Sequence, residues 1–507
     1  MTFRNPIISG FHPDPSICRA GEDYYLVTSS FEYFPGVPIF HSRDLVHWTQ
    51  IGHCLTRETQ LPLANTGSSG GVFAPTIRHI GNRFYMVTTN VSHGGNFYVH
   101  ASNPAGDWSE PVWVAQGGID PSLFADDDGT VYFTSSGGAD TPGIAQSVID
   151  LATGELLTTP QAIWKGTGGK YAEAPHLYKI DGLYYLMIAE GGTEMGHMET
   201  IALADNPWGP FEPCPRNPIL THRDREAYPI QSTGHADLVR AHDGSWWAVF
   251  LGTRVGKGYP HVHHLGRETF LAPVSWDDFG WPVIGNKGTV DLVMGAPSFA
   301  LKTKVPEAKT TLRDDFDGNS LALEWNFRGN PNPLLWNLST CPGCLTLYCS
   351  STTLNDAIGS AFVGRRQQHF DMRAETRVDL QSTQIGDEAG LTVLMRENFH
   401  YEIYVAIQET GRKIEVRRRI GDLTAVVWSE PIHSGAVTVW IASDPENYRF
   451  GYRDENSEEH EVASGSTRFI STEVAGGFTG VFLGLYATAN GEFSEGTAHF
   501  EWFEYTA

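Results

Sequence analysis

Three carboxylates and one histidine stand at equivalent positions of a pattern that repeats in the first half of the chain. Asp14, Asp120, Glu173 and His235 each lie at the start of a repeat unit or one residue before it, and Phe73 holds the fifth such position. Carboxylates that share one cavity cannot all ionise at ordinary pKa values, because like charges and partial burial raise at least one of them. Two carboxyl groups with separated pKa values are what glycosidic-bond hydrolysis needs, one to protonate the leaving oxygen and one to activate water.

A calcium site is the alternative interpretation of these carboxylates, because Ca²⁺ binds several carboxylate oxygens at once. Aromatic residues close by in the sequence favour a sugar, since an aromatic face stacks on the C–H surface of a sugar ring. We expect Phe73, together with an apolar rim at Phe31, Tyr33 and Phe34, to form that stacking surface.

The carboxylates belong to a repeat that five segments share: residues 14–27, 74–87, 120–133, 174–187 and 236–249. Each segment reads as a short strand, a turn with glycine, and a second strand rich in aromatic and aliphatic residues, which is typical of a β-hairpin. Successive segments start 46 to 62 residues apart, and a unit of that length holds about four strands, the size of a propeller blade.

The sequence therefore predicts an all-β protein whose residues 1–300 form a five-bladed β-propeller, with an irregular β-sandwich as the alternative. The innermost strand of every blade borders the central channel, so the repeat starts should face one another there. A broad propeller mouth suits the inverting form of hydrolysis, in which roughly 6.5–9.5 Å separates the two carboxyl groups and admits a water molecule.

The hairpin repeat ends after the propeller region, and the sequence pattern changes there. Residues 301–311 read as a polar linker with a proline, and residues 312–507 read as an antiparallel, concanavalin-like β-sandwich. Its alternating strands include Ala374–Leu380, Leu391–Met395 and Val481–Tyr486. The basic run 417–419 falls within such a strand, and a solvated sheet face explains it better than an anion site.

Charge and hydropathy exclude several classes of partner. The 35 Lys and Arg residues against 59 Asp and Glu residues give a net charge of −24, so nucleic acid and anionic membranes are poor partners. No apolar run approaches the roughly 20 residues that span a bilayer. The first residues lack the apolar core of a signal peptide, which predicts a cytoplasmic protein unless a signal has been removed.

Six cysteines in 507 residues are too few for a disulfide scaffold. Cys341 and Cys344 form a CxxC pair, but no second pair and no HxxxH motif lies near enough to complete a zinc site. A redox pair or half of a zinc site remains open, and we expect a turn that carries two incidental thiols.

These features together resemble glycoside hydrolase family 43, in the branch of β-xylosidases and α-L-arabinofuranosidases that carry a C-terminal sandwich. The resemblance extends over nearly the whole chain. It rests on seven motifs, at residues 5–16, 30–36, 41–45, 118–123, 173–177, 232–237 and 265–269.

The resemblance implies a role for each candidate residue. Asp14 matches the family's general base, Glu173 its general acid, and Asp120 the third carboxylate, which holds the acid and tunes its pKa. Arg267 matches an arginine that lines the sugar pocket, where a guanidinium fork can hold two hydroxyl groups. His235 matches a histidine that supports a bound water or metal, often calcium, beneath the sugar.

The resemblance also implies an exo-acting enzyme that releases terminal xylose or arabinofuranose from hemicellulose oligosaccharides with inversion of configuration. In such enzymes a loop of the sandwich closes the active-site pocket. Our candidate for that loop is residues 477–482. Phe73 replaces the tryptophan that is common in xylosidases, so the choice between the two pentoses stays open. The alternatives are an endo-arabinanase and a non-catalytic glycan-binding protein, and a homo-oligomer is compatible with the sequence.

Overall fold

Five antiparallel sheets of short strands succeed one another along the first half of the protein. The structure, a computed structural model, describes residues 1–138, 141–256, 259–300, 311–433, 435–454 and 456–507. Within these residues each sheet runs in chain order from the inside outward, and we number the sheets as blades one to five. The hairpin repeats of the sequence supply the two inner strands of every blade.

The strand bounds of the five blades follow in chain order. Blade one comprises Ser16–Ala20, Asp23–Val27, Gly36–Ser42 and Thr49–Leu55. Blade two comprises Thr76–Ile80, Arg83–Asn90, Gly95–Ala101 and Val112–Trp113. Blade three comprises Ser122–Ala125, Val131–Ser136, Ile144–Val148 and Gln161–Trp164. Blade four comprises Glu173–Ile180, Leu183–Glu190, Met198–Ala204 and Glu212–Pro213, with Leu220–Thr221 paired to the third strand. Blade five comprises Ile230–Arg240, Trp246–Arg254, Glu268–Trp276 and Pro282–Ile284.

The blades close into a ring. The first strand of each blade contacts the first strand of the next, and that of blade five contacts that of blade one. A separate apolar core fills each gap between neighbouring blades, because the two faces of every sheet are buried against different neighbours. The chain start fastens the ring, since Thr2–Arg4 pairs with Val293–Gly295. This is the propeller that the repeats predict.

The second half of the protein is a two-sheet sandwich around one large apolar core. One sheet contains Thr311–Asp314, Trp336–Asn337, Leu345–Tyr348, Met372–Gln381, Val437–Ser443, Asn447–Arg453, Glu459–Ser466 and Thr497–Thr506. The other contains Ala361–Arg366, Glu388–Arg396, Phe399–Gln408, Gly411–Ile420, Leu423–Pro431 and Phe482–Thr488. The described helices are a 3₁₀ turn at Thr467–Ile470 and an α-helical turn at Thr472–Ala475. The antiparallel sandwich is confirmed, and most of the linker expected at 301–311 lies outside the described residues.

The sandwich packs directly on the propeller. Phe327–Arg328 pairs with Tyr33–Phe34 of the propeller. Tyr33 is fully buried and stacks on Phe482 of the sandwich, with ring centroids 3.8 Å apart. A shared apolar cluster joins the two halves there, so they meet through a packed interface.

Two smaller expectations need correction. Cys341 and Cys344 are joined by a disulfide across a turn, so they are not incidental thiols, although the turn itself is as expected. Arg417 does not simply face solvent, because it pairs with the buried carboxylate of Glu388 at 2.6 Å. In the described part of the chain, no helix is long and apolar enough to cross a bilayer.

Candidate active site

A cavity of about 570 Å³ opens at the centre of the propeller and receives its lining from both halves of the protein. Seven of the residues that the sequence assigns to the site border it: Asp14, Phe31, Phe73, Asp120, Glu173, His235 and Arg267. The sandwich contributes Thr472 and the segment from Gly476 to Phe478. The repeat starts therefore do converge, and the loop expected at 477–482 reaches them.

The backbone at the repeat starts adopts an unusual conformation. Asp14, Asp120 and His235 have φ values of 54°, 54° and 53°, in the left-handed region that side chains with a Cβ rarely occupy. Asp14 and Asp120 lie two residues before the first strand of their blades, and His235 lies within the first strand of blade five. Such conformations persist only where the surroundings determine them, and they concentrate at functional sites.

Two donors hold the carboxylate of Asp14. The Arg267 guanidinium donates from Nη1 to Oδ1 at 2.5 Å, and the Ser29 hydroxyl donates to Oδ2 at 2.5 Å. These two short hydrogen bonds fix the orientation of the carboxylate. The Nδ1 atom of His235 lies 3.8 Å from the same Oδ1.

Glu173 and Asp120 have the opposite environment. Burial, followed by the charge of Asp14, raises the pKa of Glu173 to about 7. Burial also raises the pKa of Asp120 well above its usual value, and the Glu173 carboxylate adds to the effect. The backbone N–H of Ala174 donates to Asp120 Oδ2 at 3.2 Å, so Asp120 contacts the strand that carries Glu173. One of these two carboxyl groups therefore holds a proton near neutral pH.

An aromatic wall closes one side of the cavity. Phe31 lies 5.1 Å from Phe73 and 6.0 Å from Phe478, measured between ring centroids, and it is nearly parallel to Phe478. The guanidinium of Arg267 lies over Phe31 at 5.6 Å. Flat apolar faces beside a guanidinium fork match the C–H face and the hydroxyl edge of one sugar ring.

Arg267 links the propeller site to the sandwich. Its Nη2 donates to the carbonyl of Phe478 at 3.1 Å, and the N–H of Phe478 donates to Ser69 Oγ at 2.8 Å. Both backbone polar groups of Phe478, its N–H and its carbonyl, are thus hydrogen-bonded to the propeller, which fixes the loop. The sandwich positions the same arginine that contacts Asp14.

The donors near His235 do not form a calcium cage. Burial lowers the pKa of this histidine, so its imidazole is neutral and offers one nitrogen, whereas Ca²⁺ prefers six to eight oxygen ligands. In the described residues, the sole group of three or more clustered metal-ligating side chains is Asp454, Glu458 and His460 in the sandwich. A calcium ion at His235 would take most of its ligands from water.

The structure corrects part of the predicted rim and adds residues to the site. Tyr33 and Phe34 do not line the cavity, because the sandwich covers the strand that carries them. Tyr171 does line the cavity; 63% of its surface is exposed, and its φ of 53° is left-handed. Its position in the sequence, two residues before Glu173, could have marked it as a residue of the site.

Two further polar residues lie at the third strand of blade four, His197 just before it and Glu199 within it. His197 lines the cavity and bonds the carbonyl of Ser232 at 3.0 Å. Glu199 accepts the N–H of Ala236, beside His235, at 3.0 Å. No motif in the sequence marks either residue, since both lie outside the two inner strands that form the repeat hairpin.

Comparisons with known proteins agree with this geometry. Residues 3–282 match the family model "Glycosyl hydrolases family 43", and residues 313–506 match "Beta xylosidase C-terminal Concanavalin A-like domain". A non-reducing end alpha-L-arabinofuranosidase of Bacteroides ovatus is 42% identical, over 99% of this chain and 94% of that protein. A xylosidase/arabinosidase of Butyrivibrio fibrisolvens is 38% identical, over 98% of both chains.

Solved structures give the same result. A Bacteroides ovatus protein described as xyloglucan PUL GH43B superimposes with a TM-score of 0.94 at 41% identity, covering 100% of this chain and 99% of that one. A xylan beta-1,4-xylosidase from Bacillus halodurans gives a TM-score of 0.92 at 32% identity, covering 100% of both chains. The resemblance seen in the sequence motifs is confirmed: the chain is a glycosidase that belongs to glycoside hydrolase family 43.

Proposed function

We propose that this glycosidase removes single pentose residues, β-D-xylose or α-L-arabinofuranose, from the non-reducing ends of hemicellulose oligosaccharides with inversion of configuration. One observation carries the proposal: a single cavity holds a carboxylate bound by a guanidinium and a hydroxyl beside a carboxyl group with a raised pKa. This is the asymmetry that separates a base from an acid.

In the proposed reaction Asp14 accepts a proton from water as that water attacks the anomeric carbon. Glu173 gives its proton to the leaving oxygen, so the bond between that oxygen and the anomeric carbon breaks as a neutral alcohol departs. Asp120 holds the strand of Glu173 through the Ala174 N–H. Arg267 binds sugar hydroxyls, while Phe31, Phe73 and Phe478 pack on the apolar face of the ring.

Inversion follows from the role of Asp14, because an attack by water in one step leaves the product with the opposite anomeric configuration. Proton NMR of the first minutes of reaction reads the anomer directly. A product with retained configuration would mean that Asp14 attacks the sugar itself, and the assignment of the base would be wrong.

The choice of pentose depends on the cavity wall at Phe73. The two curated relatives bear the names of an arabinofuranosidase and of a xylosidase/arabinosidase, and Phe73 leaves room where a larger ring would restrict the sugar. We expect activity on both pentoses. Rates on nitrophenyl β-D-xylopyranoside and nitrophenyl α-L-arabinofuranoside, measured in parallel, give the preference.

The sandwich loop opposes an endo-acting mode, which needs a groove open at both ends. Phe478 stands over the cavity and is fixed to both Arg267 and Ser69. Linear arabinan should therefore yield single arabinose units from the first time point. Early release of longer oligosaccharides would favour the endo-arabinanase, and binding without turnover would favour a glycan-binding protein.

A further inference from the structure

A second polar layer lies directly beneath the catalytic residues on the propeller axis. Ser16, Ser122, His176 and Asp237 occupy equivalent positions, since each pairs with the matching residue of the second strand in its blade: Val27, Thr134, Met187 and Val249. Asp14, Asp120 and His235 stand two residues before Ser16, Ser122 and Asp237. Glu173 stands three before His176, and a bulge in the strand absorbs the extra residue.

Asp237 is the centre of this layer. It is fully buried and accepts from the Ser16 hydroxyl at 2.6 Å, the Ile17 N–H at 3.0 Å and the Tyr178 hydroxyl at 2.7 Å. Arg78 adds a two-pronged ion pair, from Nη1 at 2.7 Å and from Nη2 at 3.1 Å. Blades one, two and four thus converge on one carboxylate of blade five.

Arg78 extends the contacts to the remaining blade. Its Nη2 lies 2.9 Å from Nδ1 of His176, and the Ser122 hydroxyl of blade three lies 3.1 Å from the same nitrogen. The pKa of His176 is lowered to about 3 by burial, so the ring is neutral and Nδ1 accepts from both groups. We call the six residues Ser16, Arg78, Ser122, His176, Tyr178 and Asp237 the axial hub; they tie all five blades together.

The hub lies where the backbone is most constrained. Asp14, Asp120, Ala174 and His235 all have left-handed φ values, of 54°, 54°, 51° and 53°, one step above it. Each such residue costs free energy that the surrounding structure must offset. A network in which the charged groups are paired is rigid, and a displacement of about 1 Å at a catalytic group can cost roughly 100-fold in rate.

We propose that the axial hub holds the catalytic layer in its working geometry, so that its six members are positioning residues for Asp14, Asp120 and Glu173. The catalytic part of this proposal rests on the function proposed above. None of these six residues is among those that line the cavity, so the hub acts through the spacing of the five inner strands.

The test removes one hydroxyl group from the hub. Tyr178→Phe deletes the donor to Asp237 and the acceptor of the Leu238 N–H, which lies 2.9 Å away. Tyr98→Phe is the control, because the Tyr98 ring is buried in the same propeller and its hydroxyl donates to Leu151 O at 2.8 Å, away from the hub. Tyr178→Phe loses two hydrogen bonds and Tyr98→Phe loses one, and both variants keep the ring.

We expect kcat of Tyr178→Phe on xylobiose or an arabino-oligosaccharide to fall about tenfold with KM within about twofold, while Tyr98→Phe keeps kcat within about twofold of wild type. Hydrogen–deuterium exchange gives a readout that needs no substrate. The amides of Ile17 and Ile77 donate to Asp237 and Ser16, so both should exchange faster in Tyr178→Phe and at the wild-type rate in Tyr98→Phe.

Unchanged exchange at both amides would overturn the hub. Faster exchange with kcat no lower than that of Tyr98→Phe would overturn its positioning role. A wild-type protein without activity on either pentoside would overturn the proposed function instead, and the exchange rates would then decide the hub by themselves.

Discussion

Two layers of the same propeller axis carry buried carboxylates and use them in opposite ways. In the upper layer, Asp120 and Glu173 have few donors and raised pKa values. In the lower layer, Asp237 is buried even more deeply, but Arg78 and three further donors hold its pKa far below the usual value. The number of partners, and not depth of burial, therefore decides whether a carboxyl group can act as an acid here.

The largest effect should come from replacing Asp14. This residue belongs to the upper layer, but an arginine and a serine bind its carboxylate, as they do that of Asp237 in the lower layer. Asp14→Asn should lower kcat by about 10²–10⁴-fold, because the attacking water loses its base. Steady-state rates on a nitrophenyl pentoside measure the loss, and circular dichroism checks that the fold persists. Retention of more than about a tenth of the activity would contradict the assignment.

The two raised carboxyl groups can be distinguished by the leaving group. Glu173→Ala should lower kcat on xylobiose by about 10²–10⁴-fold, because an alcohol needs a proton to depart, but should lower kcat on a dinitrophenyl pentoside far less. Asp120→Asn should damage both substrates, since it disturbs the strand and the pKa of Glu173 together. Equal losses on both substrates for Glu173→Ala would assign the acid to Asp120.

The comparison also predicts how stability depends on pH. The folded pKa of Glu173, about 7, lies above its ordinary value of 4.5, so the charged form is disfavoured in the folded state. Stability is then fully present below about pH 4.5, declines as the pH rises to about 7, and stays low above it. Glu173→Gln removes this penalty and should be more stable than wild type at pH 8 by roughly 1–3 kcal/mol, with little gain at pH 4.5.

Thermal unfolding of wild type and Glu173→Gln across this pH range makes the measurement. Tyr178→Phe is a useful contrast, because the depressed pKa of Asp237 keeps that carboxylate charged throughout. Its loss of stability should therefore not vary between pH 5 and 8. A gain for Glu173→Gln that was the same at every pH would contradict a raised pKa at Glu173.

Calcium removal should have the smallest effect, because the chain itself supplies so few ligands beside His235. If an ion binds there as predicted, EDTA should lower Tm by about 2–4 °C or reduce activity, and added Ca²⁺ should restore both. Elemental analysis of the purified protein is the control. No change after full chelation, with no metal detected, would remove calcium from the account.

Much of the site was predictable because its residues stand at the starts of strands that repeat. Asp14, Asp120 and His235 could be aligned by their hairpins, and propeller geometry then required them to meet. Tyr33 and Phe34 were wrongly placed on the rim, because an exposed aromatic wall and a buried domain interface have the same composition. Tyr171, His197 and Glu199 were missed, since Tyr171 precedes the hairpin of blade four and the other two lie at its third strand, which the repeat does not mark.

The sequence by itself determined the ring of hairpins, the sandwich and the identity of the three carboxylates, because strand alternation and repeats are local properties of the chain. The tertiary structure decided the environment of each carboxylate. Arg267 is 253 residues from Asp14, and Arg78 is 159 residues from Asp237. Each arginine nevertheless binds and orients its carboxylate. These arginines meet their carboxylates only when the five blades close into a ring. A pattern along the chain does not show which distant residues that closure brings together.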